Sequence, residues 1–224
     1  MSDWFTIVAI VEGRTEEIFI KNILAPYLVQ YNIVLTPIII SKPGQKGGDV
    51  RFSRVKKDIE KHLKQRKDTY LTLFVDYYGI KKDWPGLADA KKANSPKEKA
   101  SLINQATKKK LIELFPTCHP QKRFIPYVSM HEFEALLFSS PSVLAKKLNI
   151  AESEVNSIIS ECGEPENIDD SKLSAPSKRL ESLSRRFKKT TTGIAIAEKI
   201  GLVEIRKKCP IFDGWLKTLE SLNQ

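Results

Sequence analysis

Acidic side chains stand wherever three of the chain's apolar runs stop. Val8-Ala9-Ile10-Val11 gives way to Glu12 and Gly13, and Leu71-Thr72-Leu73-Phe74-Val75 to Asp76. Arg123-Phe124-Ile125-Pro126-Tyr127-Val128 leads into Met130-His131-Glu132-Phe133-Glu134. Carboxylates brought together repel one another and take up protons unless a cation lies among them. The cation suited to an all-oxygen site is Mg2+ or Mn2+, which keeps open water positions. Such a site holds a phosphate, activates water and steadies the leaving oxygen, which is metal-assisted phosphodiester hydrolysis. At a helix start Glu132 and Glu134 point about 200° apart, so one of them participates; on an extended entry both face the same side. Each acid taken singly has a plainer explanation as a helix cap or ion-pair partner.

For these acids to meet, the runs must be neighbouring strands with their carboxyl ends on one edge of a sheet, where ligands of open α/β sheets bind. The periodicity supplies that arrangement. Residues 4–11 read as a strand, and Phe19, Ile23 and Tyr27 with Ile20, Leu24 and Leu28 mark one face of a helix from about Thr15, its N-cap, to Tyr31. Glu16 and Glu17 suit the first turn of that helix. Residues 33–40 are a second strand, in which Pro37 fits an edge position or a bulge better than the centre of a sheet. A helix over 51–66 buries Phe52, Val55, Ile59 and Leu63, with Asp49 placed to cap it. A third strand covers 70–75, a helix 96–115 and a fourth strand 123–129. The order βαβαβαβ predicts a mostly parallel four-stranded sheet flanked by helices.

Beyond residue 140 the spacing is helical with polar connections, so the expected organisation is an α/β domain over 1–140 and a helical extension over 141–224. In the extension, Lys178–Lys189 carries Leu180, Leu183 and Phe187 at helical spacing and would, as a helix, show cations on one side. Residues 193–219 read as two closing helices, with Trp215 and Leu219 packed.

The chain of 224 residues carries 37 basic and 27 acidic side chains, a net charge of +10. A basic excess around a local knot of acids suits a nucleic-acid partner, DNA or RNA. Candidate phosphate contacts are Arg14, Lys46 in the glycine-rich loop over 41–49, Lys81 and Lys82 beside the acids, and Arg185, Arg186, Lys188 and Lys189. The loop Tyr77–Gly86 has two readings: aromatics and lysines of a nucleic-acid groove, or a loop folded over buried rings. The glycine-rich loop is not a P-loop, because no Gly-Lys-Ser/Thr follows at the required spacing. Three scattered cysteines without a CxxC indicate neither disulfides nor zinc. No membrane-length apolar run and no signal-peptide pattern is present, so the expectation is a cytoplasmic protein without a membrane partner.

Val11-Glu12-Gly13 after the first strand and Phe74-Val75-Asp76 after the third resemble the Toprim domain of topoisomerases, bacterial primases and OLD-family nucleases. Its pattern is a glutamate after the first strand and Asp-x-Asp after the third, together binding divalent metal. Met130-His131-Glu132-Phe133-Glu134-Ala135-Leu136-Leu137 resembles the Phe-Glu-x-Trp-Leu-Leu of RloB-like bacterial Toprim proteins, and on that match Glu134 is the third acid. With Phe74–Gly79, Met130–Phe138 and Ala175–Arg179 together, the chain is similar over nearly its whole length to a Toprim-like bacterial family of uncharacterised function, often encoded beside an AAA- or OLD-like ATPase in phage-defence loci. The resemblance implies Mg2+ or Mn2+ held by Glu12, Asp76 and Glu134, and a nuclease working with an ATPase partner. The second acid of Asp-x-Asp is Tyr78 here; Asp83 is the candidate replacement and Glu132 a further metal candidate. The alternative the departure raises is a non-catalytic Toprim-like adaptor or nucleic-acid-binding subunit docking on an ATPase. No tyrosine is placed as a topoisomerase nucleophile and no primase zinc module is present, which leaves nuclease as the preferred activity.

Overall fold

The computed structural model describes residues 4–41, 50–168 and 174–223. The chain packs as two compact units, Met1–Val128 together with Trp215–Gln224, and Ser129–Gly214.

The first unit is built on a parallel sheet. Strands β1 (Phe5–Val11), β2 (Ile33–Ile39), β3 (Thr69–Asp76) and β4 (Phe124–Ile125) lie in the order β2-β1-β3-β4. All three neighbouring pairs along that path are parallel. The α/β class and parallel sheet read from the alternating pattern are therefore present. Ile7, Ala9, Ile10 and Val11 of β1 and Leu71, Leu73, Phe74 and Val75 of β3 are buried, as expected of strands covered on both faces. Pro37, opposite Ala9 in the β1–β2 register, sits on the edge strand, where its missing N–H costs no ladder bond on the open side.

The long helix after β1 is not uniform. It runs as Arg14–Phe19, a π-helical turn at Ile20–Leu24, Ala25–Leu28 and a final 3-10 turn at Val29–Tyr31. Pro26 cannot donate to the carbonyl four residues back, and the widened turn lies just ahead of it. The helix starts at Arg14 behind Gly13 rather than at Thr15 behind its own hydroxyl. The Glu16 carboxylate takes the capping role by accepting the Gly13 N–H at 2.9 Å. The Phe52–Gln65 helix buries Phe52, Val55, Ile59 and Leu63 as the spacing predicts. Asp49 lies outside the described residues; the Phe52 and Ser53 N–H groups are taken by Asp83, at 3.2 and 2.9 Å.

The strand expected over 123–129 is cut in two. Arg123 ends a short helix (Pro120–Arg123), β4 covers only Phe124–Ile125, and a further two-residue strand, β5 (Val128–Ser129), pairs with β3. Pro126, with no N–H to give, stands in the break. Arg123 is 8% exposed and spends its guanidinium on main-chain carbonyls: Nε on Thr69 at 2.9 Å, Nη1 on Leu63 and Cys118 at 3.2 Å each, and Nη2 on Arg66. It thus ties the carboxyl end of the Phe52–Gln65 helix, where a cation suits the helix dipole, to the start of β3. Arg123→Met takes the guanidinium from all four carbonyls, of which those of Thr69 and Leu63 are buried. We expect a loss of roughly 3 kcal/mol in urea unfolding, whereas a loss below about 1 kcal/mol would show that water replaces the guanidinium.

Trp215 closes the first unit. Its ring stacks on Tyr127 with centroids 4.6 Å apart and packs on Phe74 at 5.4 Å. Its indole N–H donates to Thr72 Oγ1 at 2.8 Å, and that hydroxyl donates to the Ile125 carbonyl at 2.6 Å. Tyr27 reaches Glu220 of the same closing helix at 2.7 Å.

The second unit, as described, is helical. Phe133–Ser139 forms 3-10 turns, followed by helices Pro141–Leu148, Glu152–Cys162, Pro176–Leu183, Ile194–Ile200, Leu202–Lys208 and Pro210–Glu220, the last of which passes into the first unit at Trp215. The basic stretch is helical only as far as Leu183. Ser184 is extended (φ −152°), and the buried Phe187 turns its ring against Gly193. The two closing helices expected over 193–219 are three, because Gly201 takes a left-handed φ of +80° and Cys209 precedes a proline. Among the described residues no helix is long and apolar enough to cross a membrane.

Candidate functional site

Strand order decides where a ligand can sit in a parallel sheet. Here β1 lies between β2 and β3, so the chain leaves β1 in one direction and returns on its other side. The carboxyl ends of β1 and β3 therefore flank the topological switch point, the crevice where open α/β sheets bind ligands. In the β1–β3 register Val11 is level with Phe74. Glu12 and Asp76 thus leave the sheet one register step apart on adjacent strands.

The two residues touch. The Asp76 N–H lies 3.4 Å from Glu12 Oε2. The turn after Asp76 folds directly over the Glu12 carboxylate, with the Gly79 N–H on the Asp76 carbonyl at 3.0 Å. A Cβ on Gly79 would stand 2.9 Å from both Glu12 Cδ and Oε1, and closer still to Oε2. The glycine is what lets the main chain lie on the carboxylate. Nothing in the residue pattern around Gly79 announces this contact, which is made across 67 positions of sequence and visible only once β1 and β3 are side by side.

The rest of the Tyr77–Gly86 loop divides between the two readings open to it. Tyr77 and Trp84 are buried: the Lys99 ammonium lies 5.7 Å from the Tyr77 ring centre, and the Trp84 indole N–H donates to Thr107 at 2.9 Å. Tyr78, Lys81 and Lys82 face solvent, Tyr78 at 46% exposure. Ile80 bridges Val50, and the Lys81 N–H donates to the Val50 carbonyl at 3.1 Å, so this turn is seated on the entry to the Phe52–Gln65 helix. Asp83, the candidate stand-in for a second metal acid, has both carboxylate oxygens on the N–H groups of that helix. Those bonds oppose the effect of its partial burial and hold its carboxyl below the usual range.

Glu132 and Glu134 belong to the second unit and are 6% and 1% exposed. Glu132 accepts the Ser177 N–H at 2.8 Å and its hydroxyl at 3.1 Å, capping the Pro176–Leu183 helix. Lys189, a candidate phosphate contact, reaches Glu134 at 3.1 Å and Glu132 at 3.8 Å. Arg185, Arg186 and Lys188 are exposed around the buried Phe187. Arg14 pairs with Glu17 at 2.5 Å while remaining 66% exposed, and Glu17 also holds Lys21. Lys46 lies outside the described residues.

Among the described residues no group of three or more histidine, cysteine, aspartate or glutamate side chains converges as a metal-binding set. What the first unit presents is Glu12 and Asp76 at neighbouring strand ends, joined through the Asp76 main-chain N–H. One or two carboxylates completed by waters and substrate phosphate is a donor set that Mg2+ accepts, so the residues present fit a hard divalent cation.

Compared with known proteins, residues 11–220 match the family model described as "Domain of unknown function (DUF4276)". No curated protein matches the chain, and no solved structure does.

Proposed function

The chain belongs to the DUF4276 family, and on the strength of the switch-point acids we propose that it is a Mg2+- or Mn2+-dependent nuclease hydrolysing nucleic-acid phosphodiesters. The observation that carries the reading is the contact between Glu12 and Asp76 at the carboxyl ends of β1 and β3. An acidic pair in a chain of net charge +10 is where a polyanion would need help to approach, and a divalent cation supplies it.

Glu12 and Asp76 would hold the cation. When bound, it would polarise the phosphodiester and make a coordinated water acidic enough to attack at neutral pH. The chain's own contribution is orientation. The Asp76 N–H holds Glu12 Oε2, and the bare Gly79 main chain keeps the carboxylate from swinging away. Lys81 and Lys82, two and three positions past Gly79, offer charge to the flanking phosphates. As the resemblance of its motifs suggests, this nuclease is the effector of a phage-defence pair whose other member is an AAA- or OLD-like ATPase.

The reading is tested by incubating plasmid, single-stranded DNA and tRNA with the protein and Mg2+ or Mn2+, alone and with the ATPase encoded beside it. Glu12→Ala and Asp76→Ala are expected to lower the rate by at least about 10^3-fold each, the scale of several kcal/mol of lost charge stabilisation. Glu134→Ala enters as a separate variant. No cleavage under any of these conditions would sink the nuclease reading.

A second reading is favoured by one specific observation. Tyr78 stands where the resembling domain has its second aspartate, and Asp83 is occupied as a helix cap. That combination suits a Toprim-like adaptor without chemistry of its own. Calorimetric titration with Mn2+ separates the two: the adaptor reading expects no binding that depends on Glu12 and Asp76.

A further inference from the structure

The Phe52–Gln65 helix turns its apolar side to the core and a basic side outward. Phe52, Val55, Ile59 and Leu63 are buried, while Arg51 and Lys57 are exposed and Arg54 and Lys56 half-buried. Two hollows flank its first turns. One, of about 510 Å³, is lined by Arg51, Arg54, Lys56 and Lys57 with Ser41 and Asp58; the other, of about 460 Å³, by Arg51, Lys81 and Lys82 with Asp83. The acids in these hollows are already engaged with main-chain donors. Asp58 accepts the Ser41 N–H at 2.9 Å, and Asp83 the N–H groups of Phe52 and Ser53. Among the described residues, Lys56, Lys57, Lys81 and Lys82 are in no ion pair.

We propose that this face, the first turns of the Phe52–Gln65 helix together with the Tyr78–Lys82 turn, is the seat of a single-stranded nucleic acid. The lysines would follow its phosphates, and Tyr78 would offer a ring for an unpaired base to stack on. The proposal rests on the nuclease reading only for its place beside Glu12 and Asp76, since it names the strand that site would receive. Two observations favour a single strand. The cations line hollows on either side of one helix end, as a backbone track requires. Tyr78 is exposed and lies between Asp76 and Lys81 in the chain, so a base on its ring and phosphates on the lysines belong to one short segment. A ring stacks on a base only where that base has left its pair. An anionic membrane is a poorer match, because interfacial helices bury their apolar side in lipid and this helix has buried its own in the protein.

The test measures fluorescence anisotropy of labelled dT20, U20 and a 20-base-pair duplex in EDTA, so that binding is read without cleavage. Flotation with vesicles of one-third phosphatidylserine runs in parallel. Wild type is expected to prefer the single strands, the two arms telling DNA from RNA. Replacing Lys56, Lys57, Lys81 and Lys82 together by Gln should make the slope of log K against log salt shallower by about 3, near 0.7 for each lost phosphate contact. Tyr78→Ala should weaken single-strand binding by about 10- to 100-fold and leave duplex binding unchanged, with Tyr78→Phe restoring it. An unchanged salt slope in the four-lysine variant, a Tyr78→Ala protein that binds as wild type, or vesicles bound in preference to oligonucleotides would each overturn the proposal. Single-strand binding by a wild type that never cleaves would leave the seat standing and the nuclease reading fallen. Cleavage that survives with binding unaltered in both variants would do the reverse.

Discussion

Gly79→Ala should melt near the wild type and lose most of its cleavage, though less than Glu12→Ala loses. The added methyl would sit 2.9 Å from Cδ and Oε1 of Glu12 and closer still to Oε2, nearer than side chains tolerate. Gly79 is not among the residues with a left-handed φ, so its backbone accepts alanine without strain. What gives way is the far end of a flexible glutamate. Turning that carboxylate aside costs on the order of 1 kcal/mol of rotamer energy, a small change in stability. The same movement takes Glu12 off the Asp76 N–H and out of the pair that would hold the metal, and removing a group preorganised for the transition state costs about 10^2- to 10^3-fold in rate. Comparing thermal unfolding with Mn2+ titration and cleavage on one preparation separates these effects. A Gly79→Ala protein that binds Mn2+ and cuts normally would mean that the carboxylate is not needed where it lies. One that fails to fold would mean that the turn, rather than the carboxylate, is held by the glycine.

The largest pH effect is expected at Glu166, in the second unit. Its carboxylate is 2% exposed and accepts the Ile211 and Phe212 N–H groups at 2.8 and 2.9 Å, capping the Pro210–Glu220 helix. Burial outweighs those two bonds and, with the nearby Glu164 adding to it, pushes the carboxyl up to about 7 from its ordinary 4.5. Below pH 4.5 the group is protonated in both folded and unfolded chains, and the protein has its full stability from this source. Between 4.5 and 7 the unfolded chain releases the proton first, so stability falls as pH rises. The loss levels off above the folded value, at about 3 kcal/mol. Glu166→Gln cannot ionise. We therefore expect the stability difference between wild type and Glu166→Gln, from urea unfolding at pH 4 to 8.5, to shift by about 3 kcal/mol against the wild type, most of it between pH 4.5 and 7. A difference that stays flat across that range would show that Glu166 ionises in the folded protein as it does in water. Burial pushes up the thiol of the neighbouring Cys209, with Glu166 adding to it and the Ser139 bond at 3.3 Å opposing it, so it stays a thiol.

What could be read from the residues alone was whatever one segment specifies by itself. β1 and β3 are apolar runs stopped by an acid, and the Phe52–Gln65 helix repeats its buried positions at three and four, so strands and helix face followed, and the parallel order put the strand ends carrying Glu12 and Asp76 at one sheet edge. What escaped depends on partners brought in from elsewhere. Asp83 caps a helix whose first residue is 31 positions earlier. Phe187 has helical spacing with Leu180 and Leu183, yet it packs on Gly193 once the helix has ended, and that contact outweighs the local pattern. Pro126 was visible as a residue, but whether it would sit in a strand or divide one depended on the length of pairing with β3, which is two residues.

The indole bond between Trp215 and Thr72 also sets a timetable. A chain is made from its amino end, and units usually fold as they emerge. Here β1 to β4 are all synthesised before residue 129, yet the ring that stacks on Tyr127, packs on Phe74 and completes the Thr72 bond arrives only with residue 215. Until then Phe74 and Tyr127 have no indole over them, while the intervening segment is translated. The sheet that carries the acids is thus completed only once residue 215 has been made.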